Sequence, residues 1–160
     1  MKVGIVAYMG RSHDRITYTL IEKLNEEGCE VWLACYKFPN LKEIKEKIGK
    51  EIKIDKLFKL IPLTPFKPRI FILPHVFTKN VDIVIKTMGS IIPPLNKPCI
   101  LYDFVGLSFF NKILSRIFKW YNRLGRVKIM PVYPSIYARE RAKVWNIEGP
   151  VIYPPVDRRR

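Results

Sequence analysis

The first 36 residues fix the class of fold this chain can adopt. Residues 2–8 (KVGIVAY) form an almost unbroken apolar run. Such a run suits a parallel strand buried on both faces, because a half-solvated strand would alternate apolar and polar. From Asp14 the period changes. Ile16, Leu20 and Leu24, with Thr17 and Ile21 alongside, recur at helical spacing and predict an amphipathic helix. Asp14 stands where the helix dipole favours an anion, and Gly28 is placed to end the helix. Residues 30–36 read as a second strand. Strand, helix and strand in this span make a βαβ unit, whose crossover is expected to be right-handed.

The alternation continues to the end of the chain. Residues 41–50 predict a short charged helix, and residues 52–60 hold a short strand. Pro62, Pro65, Pro68 and Pro74 interrupt regular structure, so a loop is expected there, with one helix near residues 69–79. Residues 82–87 (DIVIKT) predict a buried strand, followed by a turn at Gly89-Ser90, and residues 98–102 the next strand. Residues 109–124 carry the strongest helical pattern of the second half. Residues 128–132 read as a strand, residues 135–145 as a helix with Ser135 at its N-cap, and residues 151–153 as a last short strand. The expected class is α/β, a single domain with a doubly wound, mostly parallel, Rossmann-like sheet of about six or seven strands covered by helices on both faces.

A chain of 160 residues, 48% apolar, is long enough to bury a core. Its apolar runs are too short to cross a bilayer, and the N-terminal KVGIVAYMG is too short for a signal peptide. Cys29, Cys35 and Cys99 are odd in number and lack C-x-x-C spacing, which predicts reduced, buried thiols in a cytoplasmic protein. The lack of Gln beside many Ile and Lys points to a hot or AT-rich source, with a thermophile expected.

Net charge is +15, and its placement is uneven. Residues 1–55 carry ten basic and nine acidic side chains; residues 56–79 carry five basic and none acidic; residues 109–145 carry nine basic and one acidic. The last two segments together hold +13 of the total, and they are expected to converge on one side. Such segregation favours an anionic partner, whether membrane, phosphate or nucleic acid, over the Lys-rich surface of a thermophile. In residues 109–124, Lys112, Arg116, Lys119 and Arg123 form a basic set beside Trp120. One role for this helix is to pack its apolar face on the sheet. The other is to dock on an anionic membrane surface, where each basic group contributes about 1 kcal/mol.

Ligands of doubly wound folds bind beyond the carboxyl ends of strands, at helix N-termini. Gly10, Arg11, Ser12 and His13 follow the first strand and suit a phosphate or sugar hydroxyls; the alternative is an ordinary turn capped by Ser12 or Asp14. Several chemistries lack their signatures. There is no G-x-G-x-x-G for a dinucleotide, no Walker loop, no G-x-S-x-G elbow, and no D-x-D to hold a metal and diphosphate. His13 and His75 have no Cys or carboxylate at ligand spacing, so no metal site and no resident cofactor are expected.

The stretch GPVIYPPVD (residues 149–157) ends a short strand at Pro154-Pro155, which cannot donate to a ladder. It resembles the seam between the two halves of GT-B glycosyltransferases, in the family-four group of retaining sugar transferases. Asp14-Arg15 looks like the acidic-Arg pair that opens that family's first helix, although one Gly stands in the preceding loop rather than two. LYDFVG places Tyr102-Asp103 where many members have His-Asp. VYPSIYARERAKVWNI resembles the family's Asn-Ser strand end and Arg-rich helix, with Pro134-Ser135 in place of Asn-Ser. The resemblance implies that residues 1–157 are the acceptor-side half of such an enzyme and residues 158–160 a basic remnant of the interdomain linker. Its implied acceptor contacts are Gly10, Arg11, Ser12, His13, Thr87, Gly89 and Ser90, with Tyr102 and Asp103 as catalytic candidates; Asp103 capping the next turn is an equal alternative. A nucleotide-sugar donor would bind only if a donor-binding domain is supplied in trans. The implied acceptor is lipid-linked or a glycan, reached from a peripheral position on the inner membrane face. A basic nucleic-acid-binding α/β module is the alternative function.

Overall fold

The computed structural model describes residues 1–8, 14–49, 51–62, 70–87, 90–91, 94, 96–102, 116, 119–120, 123, 128–142 and 148–153. The elements in chain order are β1 (Lys2–Ala7), α1 (Asp14–Glu26), β2 (Glu30–Cys35), α2 (Leu41–Ile48), β3 (Lys56–Lys59), β4 (Ile61–Pro62), β5 (Ile70–Ile72), α3 (His75–Asn80), β6 (Ile83–Lys86), β7 (Ser90–Ile91), β8 (Cys99–Tyr102), β9 (Ile129–Val132) and α4 (Ile136–Ala142). Six strands form one sheet in the order β3-β2-β1-β6-β8-β9, and every pair in it is parallel. This is the α/β, Rossmann-like sheet the alternation predicts. A second sheet of three short strands, β4-β5-β7, lies beside it.

The ends of the elements follow local chemistry. Gly28 adopts φ 69°, the left-handed region that closes a helix, and Cys29 N–H reaches back to the Leu24 carbonyl at 2.9 Å. Asn40 caps α2 by accepting from Lys42 N–H, and Ser135 caps α4 by accepting from Ala138 N–H at 3.1 Å. Gly4 is required by a close approach: a Cβ there would lie 2.7 Å from the Phe77 ring of α3.

The sheet separates two cores. On one face Val3, Ile5, Ala7, Val31, Leu33 and Cys35 pack against Tyr18 and Ile21 of α1 and Ile44 of α2. On the other, Val6, Trp32, Val84, Cys99, Leu101 and Tyr133 pack against Phe77 of α3 and Ala138 of α4. Tyr8, Tyr36 and Phe71 join the small sheet to this second core through ring contacts of 5.3–5.8 Å.

Three expectations are corrected. The helix foreseen near residues 69–79 is instead a strand, β5, followed by the single short helix α3. Ile70 and Phe71 pair with Ser90 and Ile91, so long-range pairing overrides the local pattern, and Ser90 opens strand β7 rather than completing a turn. Much of the two basic segments, including Lys67, Arg69, Lys112, Arg126 and Lys143, lies outside the described residues, and three of the described lysines lie far apart. Lys56 and Lys59 lie on β3 at one margin of the sheet and Lys128 adjoins β9 at the other, five strand spacings apart, roughly 24 Å. On β3 the lysines occupy an edge strand, where charge blocks pairing with another chain. The last strand foreseen at residues 151–153 shortens to one parallel bridge, Tyr133 to Val151.

Candidate functional site

The strand order sets the site. From β1 the chain winds outward to β2 and β3, then returns to β6 on the other side of β1 and winds the opposite way. The carboxyl ends of β1 and β6 therefore flank the crevice where ligands of such sheets bind. Val6 pairs with Lys86 at that point, and Thr87 follows.

Thr87 is buried, and its side chain works within the fold. Its Oγ1 lies 2.7 Å from Thr17 Oγ1 of α1 and donates to the Val6 carbonyl at 3.3 Å. A hydroxyl carries one proton, so Thr17 donates to Thr87 and Thr87 to Val6. This relay clamps the start of α1 onto the crevice floor. Gly10, Arg11, Ser12, His13, Gly89, Asp103 and Lys112 lie outside the described residues. Ser90 is placed in β7, away from the six-stranded sheet.

Tyr102 ends β8, and its phenol donates to the Ile152 carbonyl at 3.2 Å. That bond fixes the segment after the Val151 bridge along the outer margin of the sheet. Arg116, Lys119, Trp120 and Arg123 are helical and exposed, with Trp120 56% exposed. Their spacing of i, i+3, i+4 and i+7 puts them on one stripe.

Two features escaped the sequence reading. Lys86, in the run DIVIKT, is only 8% exposed at the last position of β6. Its backbone pairs with Val6 at the carboxyl end of β6, beside the crevice. It also faces the neighbouring thiol: burial pushes the Cys99 thiol up to about 12, against a smaller opposing pull from the Lys86 ammonium. Cys35 is buried like Cys99, whereas Cys29 is only partly buried.

The second feature is a groove of about 430 Å³ on the α1 face of the sheet. Its floor is Ile85, Ile100 and Met130, aligned in register across three strands, with Tyr102 and Val132 one step nearer the carboxyl ends. One wall is Ile16, Thr19, Leu20 and Lys23 of α1; the other is Ile152 and Tyr153. The helix thus has two apolar walls. Thr17, Tyr18 and Ile21 are buried against the sheet, while Ile16 and Leu20, expected to lie in the core stripe, line the groove half-buried.

Among the described residues no three His, Cys, Asp or Glu side chains are placed to hold a metal ion, and no helix is long and apolar enough to cross a membrane. Comparison with protein-family models and with curated proteins finds no match.

Proposed function

We propose that these 160 residues are the acceptor-side half of a glycosyltransferase, which completes its cleft with a nucleotide-sugar-binding half from the same or another polypeptide. The observation that carries this reading is the reversal of strand order at β1 and β6. The segments 9–13 and 88–89, which contain the implied acceptor contacts Gly10 to His13 and Gly89, follow those two strands directly in the chain. The buried Lys86 adds positive charge beside the same crevice.

Sugar transfer requires the leaving diphosphate to meet fixed donors and positive charge where charge develops, usually the largest catalytic contribution. In the family this chain resembles, the other half supplies them. The present half orients an acceptor, and orientation alone leaves the barrier high. The test is donor hydrolysis and transfer across common nucleotide sugars, with the 160 residues alone and with a donor-binding domain added. Activity only in the mixture supports the reading. Turnover by the 160 residues alone overturns it.

The acceptor is lipid-linked, and Arg116, Lys119, Trp120 and Arg123 bring the protein to an anionic membrane. Exposed charges of this kind are screened within about 8 Å at physiological salt, so binding must weaken as salt rises. Sedimentation with phosphatidylcholine vesicles, with and without phosphatidylglycerol, checks this. Arg116→Glu, Lys119→Glu and Arg123→Glu together should abolish binding to the anionic vesicles. An aromatic side chain within a basic stripe also suits stacking on bases. Salt-sensitive binding to single-stranded RNA, with no binding to vesicles, would instead make the chain a nucleic-acid-binding module.

A further inference from the structure

We infer that the carboxyl-end margin of β2 and β3, together with the outer face of the small sheet, docks on an anionic lipid surface. Large apolar side chains collect there. Phe38 lies in the segment after β2 and Leu41 opens α2, while Ile61 and Ile72 stand opposite each other on β4 and β5. All four are 41–59% exposed. Leu60, Phe71 and Leu73 are buried, so burial alternates along both strands and one face of the small sheet is left in water. The segments adjoin: Leu60 N–H donates to the Cys35 carbonyl at 2.9 Å, which carries the β2–β3 pairing up to the start of both. β1 is the next strand, so a protein docked on this margin holds its crevice beside the lipid.

The charge around these side chains has one sign. Residues 36–42, 59–62 and 70–76 hold Lys37, Lys42 and Lys59 and no acidic residue. The three lysines are exposed, and none makes an ion pair with another described residue. The next acidic residue, Glu43, takes a position on the far side of α2 from Leu41, two residues on at about 100° each. At the amino ends of the strands the signs are mixed, with Glu27, Glu30, Asp55 and Asp82 among Lys2, Lys53 and Lys128. Exposed apolar side chains among lysines suit a bilayer interface, where the apolar ends enter and the ammonium groups reach headgroups on flexible stems. A second copy would bring another +15 of charge to the same place, and the cores of protein interfaces are poor in lysine. A nucleic acid would meet three aliphatic side chains and a single aromatic one, little for bases to stack on. These residues are separate from the basic stripe at 116–123, and the inference does not rest on sugar transfer.

The experiment uses the full chain and vesicles of phosphatidylcholine with phosphatidylglycerol, with brominated phosphatidylcholine as the quencher. Phe38→Trp and, separately, Ile72→Trp place an indole on the margin; Glu27→Trp places one at the opposite end of the sheet. Relative to wild type, each margin indole should add emission that shifts to the blue on vesicles and is quenched by the brominated lipid. The indole of Glu27→Trp should add emission that does neither. Phe38→Ser with Ile72→Ser should weaken partition into the anionic vesicles about tenfold or more, with circular dichroism and melting close to wild type because both side chains already meet water. Lys37→Ala, Lys42→Ala and Lys59→Ala together should weaken it too. Vesicle binding with both margin indoles unquenched overturns the inference and leaves the stripe at 116–123 as the docking surface. Unchanged partition of the serine variant or of the lysine variant overturns it as well. Wild type that does not bind the anionic vesicles at all overturns both membrane assignments, while the transfer assay still judges the acceptor half on its own.

Discussion

On the sheet face that α1 covers, two neighbouring regions share a chemistry and differ in burial. Over β1 and β2, Val3, Ile5, Val31 and Leu33 are fully buried beneath α1 and α2. Over β6, β8 and β9, Ile85, Ile100 and Met130 are equally apolar but only half-buried, at the floor of an open groove. The difference comes from helix placement, not from the strands. α1 follows β1 and packs over β1 and β2, so its outer edge is also the groove's wall. An apolar strand records that a face must be covered; what covers it is decided elsewhere in the assembly.

The largest test compares two adjacent residues of α1. Ile21 is fully buried over the closed region, whereas Leu20 lines the groove. Ile21→Ala should cost about 2–5 kcal/mol, the transfer loss plus an unfilled cavity. Leu20→Ala should cost well under half of that, because its side chain already meets solvent and leaves no closed cavity. Urea unfolding of both variants gives the answer. Equal losses would mean that the groove is closed in solution and that the two regions do not differ.

Much of this contrast was written in the sequence, and part was not. The runs at residues 2–8 and 30–36, with helical spacing between them and Gly28 after it, gave β1, α1 and β2 within a residue or two, because each boundary has its own local cause. The small sheet did not show itself. Ile70–Ile72 sits in a proline-interrupted stretch, and what makes it a strand is pairing with Ser90 and Ile91, which no local pattern carries. The site was legible only as a location. The sheet order puts the crevice where the first loop suggested, but Thr87, read as an acceptor contact, spends its hydroxyl on the clamp between α1 and Val6. Lys86 lay inside the strand expected to be buried, but the lysine itself was not singled out.

The clamp gives the next effect in size, since it joins the closed region to the crevice. Thr87→Val keeps the shape but leaves the Thr17 hydroxyl without its acceptor in a buried place, at a cost of about 1–3 kcal/mol. Replacing both threonines by valine should cost less than the sum of the single changes, since the second removes the orphan that the first created. A double-mutant cycle by thermal unfolding measures this; strict additivity would mean the hydroxyls do not interact.

A smaller effect is expected at the open region's outer wall. Tyr102→Phe removes the bond to the Ile152 carbonyl and should cost roughly 0.5–1.5 kcal/mol, toward the low end because the bond is exposed. Its clearer signature is local. Amide exchange at Ile152, whose N–H donates to the Tyr133 carbonyl, should speed up while amides of β1 keep their protection. Unchanged exchange at Ile152 would show that the Val151 bridge alone fixes the wall.

The smallest effect belongs to the closed region's far edge, and its size depends on pH. Asp55 extends the β2–β3 pairing by one step. Its backbone N–H donates to the Val31 carbonyl, and its carboxylate accepts from Val31 N–H, both at 2.8 Å. Lys53 stands 2.8 Å from the same carboxylate. The hydrogen bond from Lys53, helped by Val31 N–H and by Coulomb attraction to Lys53, holds the Asp55 carboxyl below the usual carboxylate range. A carboxyl depressed in the folded state adds stability that is present above the unfolded value, about 3.9, and is lost as pH falls through the folded value. Asp55→Asn keeps an acceptor for Val31 and removes the charge. The stability gap between wild type and Asp55→Asn should therefore be largest near neutral pH and shrink below about pH 4 as the carboxylate is protonated. The gap should be small throughout, since Lys53 is largely exposed and such pairs contribute little in water. Urea midpoints of both proteins across that range decide it. A gap that stays constant with pH would place the contribution of Asp55 in its backbone geometry and not in its charge.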